Sequence, residues 1–296
     1  MSLRDFTLFV LVCTLWGFNM VAAKIVVGEL DVPPLFFAAV RSAIIALAVL
    51  PWLLPMPRPR LRTMAVGVLM GGGGFALLFV GLQTASPSAA AVVSQLGVPM
   101  VTVLSIVMLG ERIRWRRGVG IALAVSGVAL VMWDPGGFEL SGGLFFAAAG
   151  TFCGALGAVM MKQMEGIRPL RFQAWVGFSS VLLLAPLTAA FETGQWQAAW
   201  SAGWPFLLIV LYSALLVSVF AHTVYYGLIQ RYDANLIAPL TLMSPLISIA
   251  LGIWLTNDHF DARMGIGTAV ALTGVLIVAV RPNVALGKGI FLRNRV

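Results

Sequence analysis

The sequence predicts an all-α polytopic membrane protein. Three observations carry that prediction: ten long apolar stretches nearly free of charge, a one-sided distribution of Lys and Arg, and an internal repeat. Composition frames them. Of 296 residues, 60% are apolar and 10% charged, against roughly 45–50% and about 25% in an average soluble domain. So many apolar side chains cannot be hidden in one aqueous core, so lipid must be most of the solvent. Cys13 and Cys153 fall inside apolar stretches, match no metal or redox spacing, and read as small buried hydrophobes.

The apolar stretches cover residues 6–27, 34–54, 64–83, 88–109, 118–133, 143–161, 172–191, 205–229, 236–256 and 264–280. At 1.5 Å per residue most are long enough to cross a hydrocarbon core about 30 Å thick, so each is expected to be a transmembrane helix. The first is too long for the apolar region of a secretory signal and is expected to be retained. The longest connections, 55–63 and 192–204, have nine and thirteen residues, too few for an extramembrane domain.

Placing successive connections on alternate sides puts 16 of the 19 Lys and Arg residues on one side. Lys24 and Arg263 lie on the other, and Arg41 lies within the second stretch. The basic side is the cytoplasmic one, which puts both termini in the cytoplasm and the chain in the plasma (inner) membrane. The net charge of +8 is therefore a topology signal, and no basic stripe is left for nucleic acid. Seven Trp residues at or near the predicted ends agree, since indole favours the headgroup region.

Residues 118–131 and 265–278 are identical at seven of fourteen positions at an offset of 147, among them Gly120/Gly267, Ala124/Ala271 and Gly127/Gly274. With a one-residue slip the match extends upstream, where Pro99 faces Pro245, Gln95 faces Thr241 and Thr102 faces Ser248. Each half then holds five helices, an odd number, so the second half enters the membrane from the opposite side. The expected architecture is a 5+5 inverted repeat, residues 1–136 and 137–296, the second ending in a short basic cytoplasmic tail. Such repeats commonly exchange conformations around a midplane site, which is the geometry of alternating access.

Polar residues inside the apolar stretches are candidates to line that site. Gln95, Pro99 and Thr102 in one half and Thr241, Pro245 and Ser248 in the other set a polar stripe beside a proline kink. Ser218, His222, Tyr225 and Tyr226 share one helical face. Four glycines ending at Gly74 precede Phe75 and Phe79 and permit close backbone approach. Trp16, Asn19 and Lys24 mark the first stretch, with Lys24 near enough to an end to reach outward. Arg41 is the costliest residue to place; it should face the protein interior and find carbonyls or an anion.

No Asp or Glu lies well inside a stretch, which argues against an intramembrane carboxylate for proton or sodium coupling. No metal-ligand cluster, phosphate-binding loop or intramembrane nucleophile motif is present, so neither an enzyme nor a cofactor is expected. The expected partners are a small-molecule substrate and the bilayer, with monomer and dimer both open.

Trp16-Gly17-Phe18, Lys24, Pro33-Pro34 and Arg41 resemble the opening signature of the drug/metabolite transporter superfamily. Pro99, Leu109-Gly110-Glu111-Arg112 and the following glycine pattern resemble the close of its EamA-type half, and the second half repeats Pro245 and the glycines. The whole sequence is similar to aromatic amino acid exporters of the YddG type. That resemblance implies ten spans around a central cavity and export of aromatic amino acids or related metabolites. Phe75, Phe79, Tyr225 and Tyr226 would supply ring contacts, and Gln95, Thr241, His222 and Ser244 would bond the polar ends. Thr256-Asn257-Asp258 departs from the Leu-Gly-Glu of the first half, so one chemistry for both gates is not implied. A multidrug carrier, a passive channel and a non-transporting membrane protein are the alternatives.

Overall fold

The computed structural model describes residues 1–134, 139–164, 168–232 and 234–280. The expected basic tail and the expected boundary between the halves lie outside these residues. Eight helices are long and apolar enough to cross a membrane: α1 (Leu3–Glu29), α3 (Arg60–Thr84), α4 (Pro87–Leu109), α5 (Trp115–Met132), α6 (Gly142–Lys162), α7 (Pro169–Phe191), α8 (Gln195–Tyr225) and α10 (Ala262–Ala279). Two shorter apolar helices complete the set, α2 (Pro34–Ala48) and α9 (Pro239–Leu255). The only strand pairing among the described residues joins Trp133 to Leu140 and Asp134 to Glu139, between α5 and α6.

The helix ends follow local chemistry. Proline opens α2, α4 and α7, where its missing N–H has no intrahelical partner to lose. Ser2 caps α1 by accepting from the Asp5 N–H at 3.1 Å, and Asp261 caps α10 by accepting from Met264 N–H at 2.7 Å. Gly110 ends α4 in a left-handed conformation, φ 67°. The helix α2 stops at Ala48, short of the apolar stretch that continues to residue 54, and a 3-10 turn over Leu50–Trp52 carries Pro51, which cannot extend an α-helix.

The expected loop over residues 192–204 is largely helical. Helix α8 begins at Gln195 and its axis breaks at Gly203, φ 56° and ψ −137°, a conformation that needs glycine. Trp196 and Trp200 before the break and Trp204 just after it are spaced four residues apart and 78%, 89% and 75% exposed. Trp115, Trp133 and Trp254 are exposed at other helix ends. That matches the preference of indole for the membrane interface.

Helices α4 and α9 are each broken where the proline in the sequence requires it. The first is interrupted at Gln95–Leu96, four residues before Pro99, and the second at Leu242, three before Pro245. A proline removes the N–H that would reach the carbonyl four residues back, so the chain breaks there. Three other stretches widen into π-helix: the end of α1 (Ile25–Glu29), the middle of α3 (Val68–Gly73) and the middle of α8 (Tyr212–Ala221). The last two adjoin the polar cluster described below.

The tightest packing joins α5 to α10, which run antiparallel. A Cβ at Gly127 would collide with the backbone nitrogen of Ala271, and one at Gly274 with that of Ala124. These four residues are two repeat-related pairs, so each half offers the other the same surface. Helix α2 packs on α7, α3 on α6 and α1 on α9. The apolar interior includes Phe37, Phe79, Leu82 and Leu184, all fully buried, with Phe37 stacked on Phe79 at 4.5 Å.

Candidate functional site

Arg41 is the centre of the site. It projects from α2 into the protein and is 2% exposed. Its Nη2 donates to Ser218 Oγ of α8 at 2.5 Å, and its guanidinium carbon lies 3.7 Å from the centroid of the Phe75 ring of α3. Its Nε has no hydrogen-bond partner among the described residues. The described residues contain only two ion pairs, Lys162 with Glu111 and Arg263 with Asp261, so Arg41 has no carboxylate. A permanently protonated guanidinium is thus held by one hydroxyl and one aromatic face.

The π turn of α8 sets the partners in place. Ser218 Oγ donates to the carbonyl of Ser213, five residues back, at 2.7 Å, and His222 Nδ1 lies 2.8 Å from the carbonyl of Val217, also five back. In a regular α-helix those carbonyls would be engaged by backbone N–H groups four residues on. A cavity of about 40 Å³ lies against Arg41, Phe75, Ser218 and His222, lined also by Phe172, Gln173 and Gly177 of α7 and by Ser42 and Gly71. Gln173 is 5% exposed. Its amide, an isolated polar group within an apolar stretch, is the sequence signal that would have marked α7 as part of the site.

His222 also belongs to an aromatic wall. Its ring lies 5.2 Å from Trp16 of α1, and Trp16 meets Tyr225 edge-on at 5.0 Å, with Phe9 behind at 6.3 Å. Trp16 Nε1 and, one turn on, Asn19 Oδ1 are buried without a hydrogen-bond partner among the described residues. Trp16, Arg41, Phe75, His222 and Tyr225 are therefore brought into one neighbourhood. The side chain of Tyr226 lies outside the described part of the structure.

Other sequence candidates sit elsewhere. Phe79 is fully buried on Phe37 and backs Phe75, with which its ring is tilted at 5.8 Å. Its apolarity fits both roles, and only the packing direction separates them. Gln95 lies in the break of α4 and Thr241 immediately before that of α9, with Pro99 and Pro245 buried just beyond and Ser244 half-buried, its carbonyl facing Gly17. Gly74 lets α3 approach the backbone of Gly150 in α6. Lys24 donates to the carbonyls of Leu82 and Gln83 at 2.9 and 3.1 Å, tying α1 to the end of α3 as a structural residue.

The chain matches the EamA-like transporter family twice, over residues 5–133 and 141–280. The chain belongs to the EamA-like transporter family. This EamA-like chain is a multi-pass membrane protein built from two repeats of the family unit, and like its family it is a transporter rather than an enzyme. It is 25% identical to the "Probable amino-acid metabolite efflux pump" of Escherichia coli over 287 residues, covering 94% of this chain and 95% of that one. It is also 25% identical to the "Probable terminal-alkyne amino-acid exporter" of Streptantibioticus cattleyicolor, with 91% of each covered. A solved crystal structure shares the fold at a TM-score of 0.59 and 20% identity, covering 94% of this chain and 96% of that one.

Sequence reasoning missed the fasteners at the acid-rich end of this EamA-like bundle. Glu192, just past α7, accepts from the Leu35 and Phe36 N–H groups at the start of α2, both at 2.8 Å. Asp258, just past α9, accepts from Ser88 N–H at 2.9 Å and from its hydroxyl at the start of α4. Each carboxylate caps a helix of the other repeat, where N–H groups and the helix dipole favour an anion. Asn257 keeps the left-handed turn that Gly110 makes in the first repeat, with φ 50° against 67°. At the basic end, Glu111 pairs with Lys162 at 3.6 Å, and both side chains are nearly half exposed. The turn is shared and the fastening differs.

Proposed function

We propose that this EamA-like transporter exports small amino-acid-type metabolites, with a bias toward aromatic amino acids, by alternating access between two inverted five-helix halves. The observation that carries the reading is the joining of a buried, uncompensated Arg41 to an aromatic wall through one residue, His222. An aromatic amino acid presents a carboxylate at one end and a ring at the other. The site offers a cation seated on Phe75 with neutral hydrogen-bonding groups on one side, and Trp16 and Tyr225 on the other.

In this reading the two shorter helices also span, giving ten, and both termini are cytoplasmic by the distribution of Lys and Arg. The inverted relation is supported by the α5–α10 contact, where repeat-related glycines and alanines meet reciprocally on antiparallel helices. Only a two-fold axis across the helices, in the membrane plane, relates such a pair. Rocking of one half about that axis would expose the site to each side in turn. The breaks in α4 and α9, at Gln95 and just past Thr241, would bend, while Ser244 and His222 contribute polar contacts.

Purified protein in liposomes should carry labelled phenylalanine or tryptophan with saturable kinetics, above empty vesicles. No flux above empty vesicles would reject this substrate class.

A further inference from the structure

We infer that Arg41 is a carboxylate receptor, so that the transporter selects solutes bearing a free carboxylate and rejects their amides and amines. A guanidinium in the middle of a membrane-spanning segment is costly to place and persists where it has a function. Packing alone does not call for it, since a neutral side chain would fill the same space beside Phe75. The structure leaves its chemistry incomplete: one N–H on Ser218, Nε without a partner among the described residues, and no carboxylate alongside. Guanidinium is a planar fork of donors whose preferred complement is a carboxylate.

The cavity, about 40 Å³, lies directly against the guanidinium, and a planar carboxylate is the part of the solute that would enter it. The remaining polar groups on it, Ser42, Gln173, Ser218 and His222, bear no negative charge. With one cation and neutral groups, the site suits a monoanion and undercompensates a phosphate dianion. The rest of the solute would extend past His222 toward Trp16 and Tyr225.

This deepens the carrier reading and rests on it only for what is moved; binding is measured without transport. Thermal unfolding of the purified protein in detergent is followed with four probes: phenylalanine, 3-phenylpropionate, phenylalaninamide and inorganic phosphate. Phenylalanine and 3-phenylpropionate should raise the midpoint saturably, and phenylalaninamide and phosphate should not. Arg41→Gln should weaken phenylalanine binding at least tenfold, with Arg41→Lys keeping part of it. If Arg41→Gln does not fold, the probe series on the unaltered protein still decides. Equal stabilisation by phenylalaninamide or phosphate, no stabilisation by either carboxylate, or undiminished binding in a folded Arg41→Gln protein overturns the inference. Carboxylate binding without flux in liposomes would leave the receptor standing and remove the exporter.

Discussion

At the scale of the residue, the site depends on what holds Arg41. Its hydrogen bond to Ser218 and its seat on Phe75 orient the guanidinium toward the small cavity. Removing the hydroxyl leaves a buried charged donor unsatisfied, which costs about 1–3 kcal/mol. Ser218→Ala should therefore lower the thermal midpoint and raise the half-saturation concentration for phenylalanine, while Ser218→Thr, which keeps the hydroxyl, should recover most of both. A fully neutral Ser218→Ala would mean that Ser218 does not position Arg41. Arg41 itself was legible in the sequence, because a charge in the middle of an apolar stretch stands out against lipid. Its partners were only partly so. Ser218 and His222 could be placed on one face, but the π turn that lets each reach a carbonyl five residues back leaves no mark on a pattern read at 3.6 residues per turn. Phe75 and Phe79 looked alike, and only the stacking of Phe79 on buried Phe37 parts them.

At the scale of the element, two devices join the halves, and each makes a prediction. The first is the α5–α10 seam. A side chain at Gly127 would strike the backbone of Ala271, which cannot move as a flexible side chain can. Gly127→Val should cost about 1–3 kcal/mol or more as overpacking and reduce the yield of folded protein. Gly118→Val, where nothing lies within 4 Å, serves as the control. Equal yields and melting points for both would show that the seam tolerates bulk and that the close approach is incidental. The second device is the pair of carboxylates capping helix starts across the repeats. Asp258→Asn keeps the shape and removes the charge, so the α4 cap should weaken by about 1 kcal/mol, the usual size of a charged helix-terminus contact. A thermal midpoint unchanged in low salt would contradict that assignment. The repeat was readable as glycine spacing, but these caps were not, because their partners lie 170 and 156 or 157 residues apart. The helix over the expected 192–204 loop was missed for another reason. Its Trp stripe alternates with Gln and Ala, so it lacks the apolar run that marks the other elements.

At the scale of the whole molecule, eight of the apolar stretches are helices long enough to cross a membrane and two are shorter, because most of the information lies in where apolar runs stop and Lys or Arg begins. Lipid imposes that constraint on each segment separately, so it survives in a single sequence. Substrate identity does not, since aromatic side chains line helices for packing as readily as for recognition. The central claim is that two halves expose one site alternately. Counterflow tests it most directly: liposomes holding the purified protein are loaded with unlabelled phenylalanine and given a trace of labelled phenylalanine outside. A carrier with one alternating site should accumulate label transiently above its outside concentration, and internal 3-phenylpropionate, if it is also carried, should drive the same overshoot. Label that only equilibrates, at a rate indifferent to what is loaded inside, would contradict alternating access and indicate a pore.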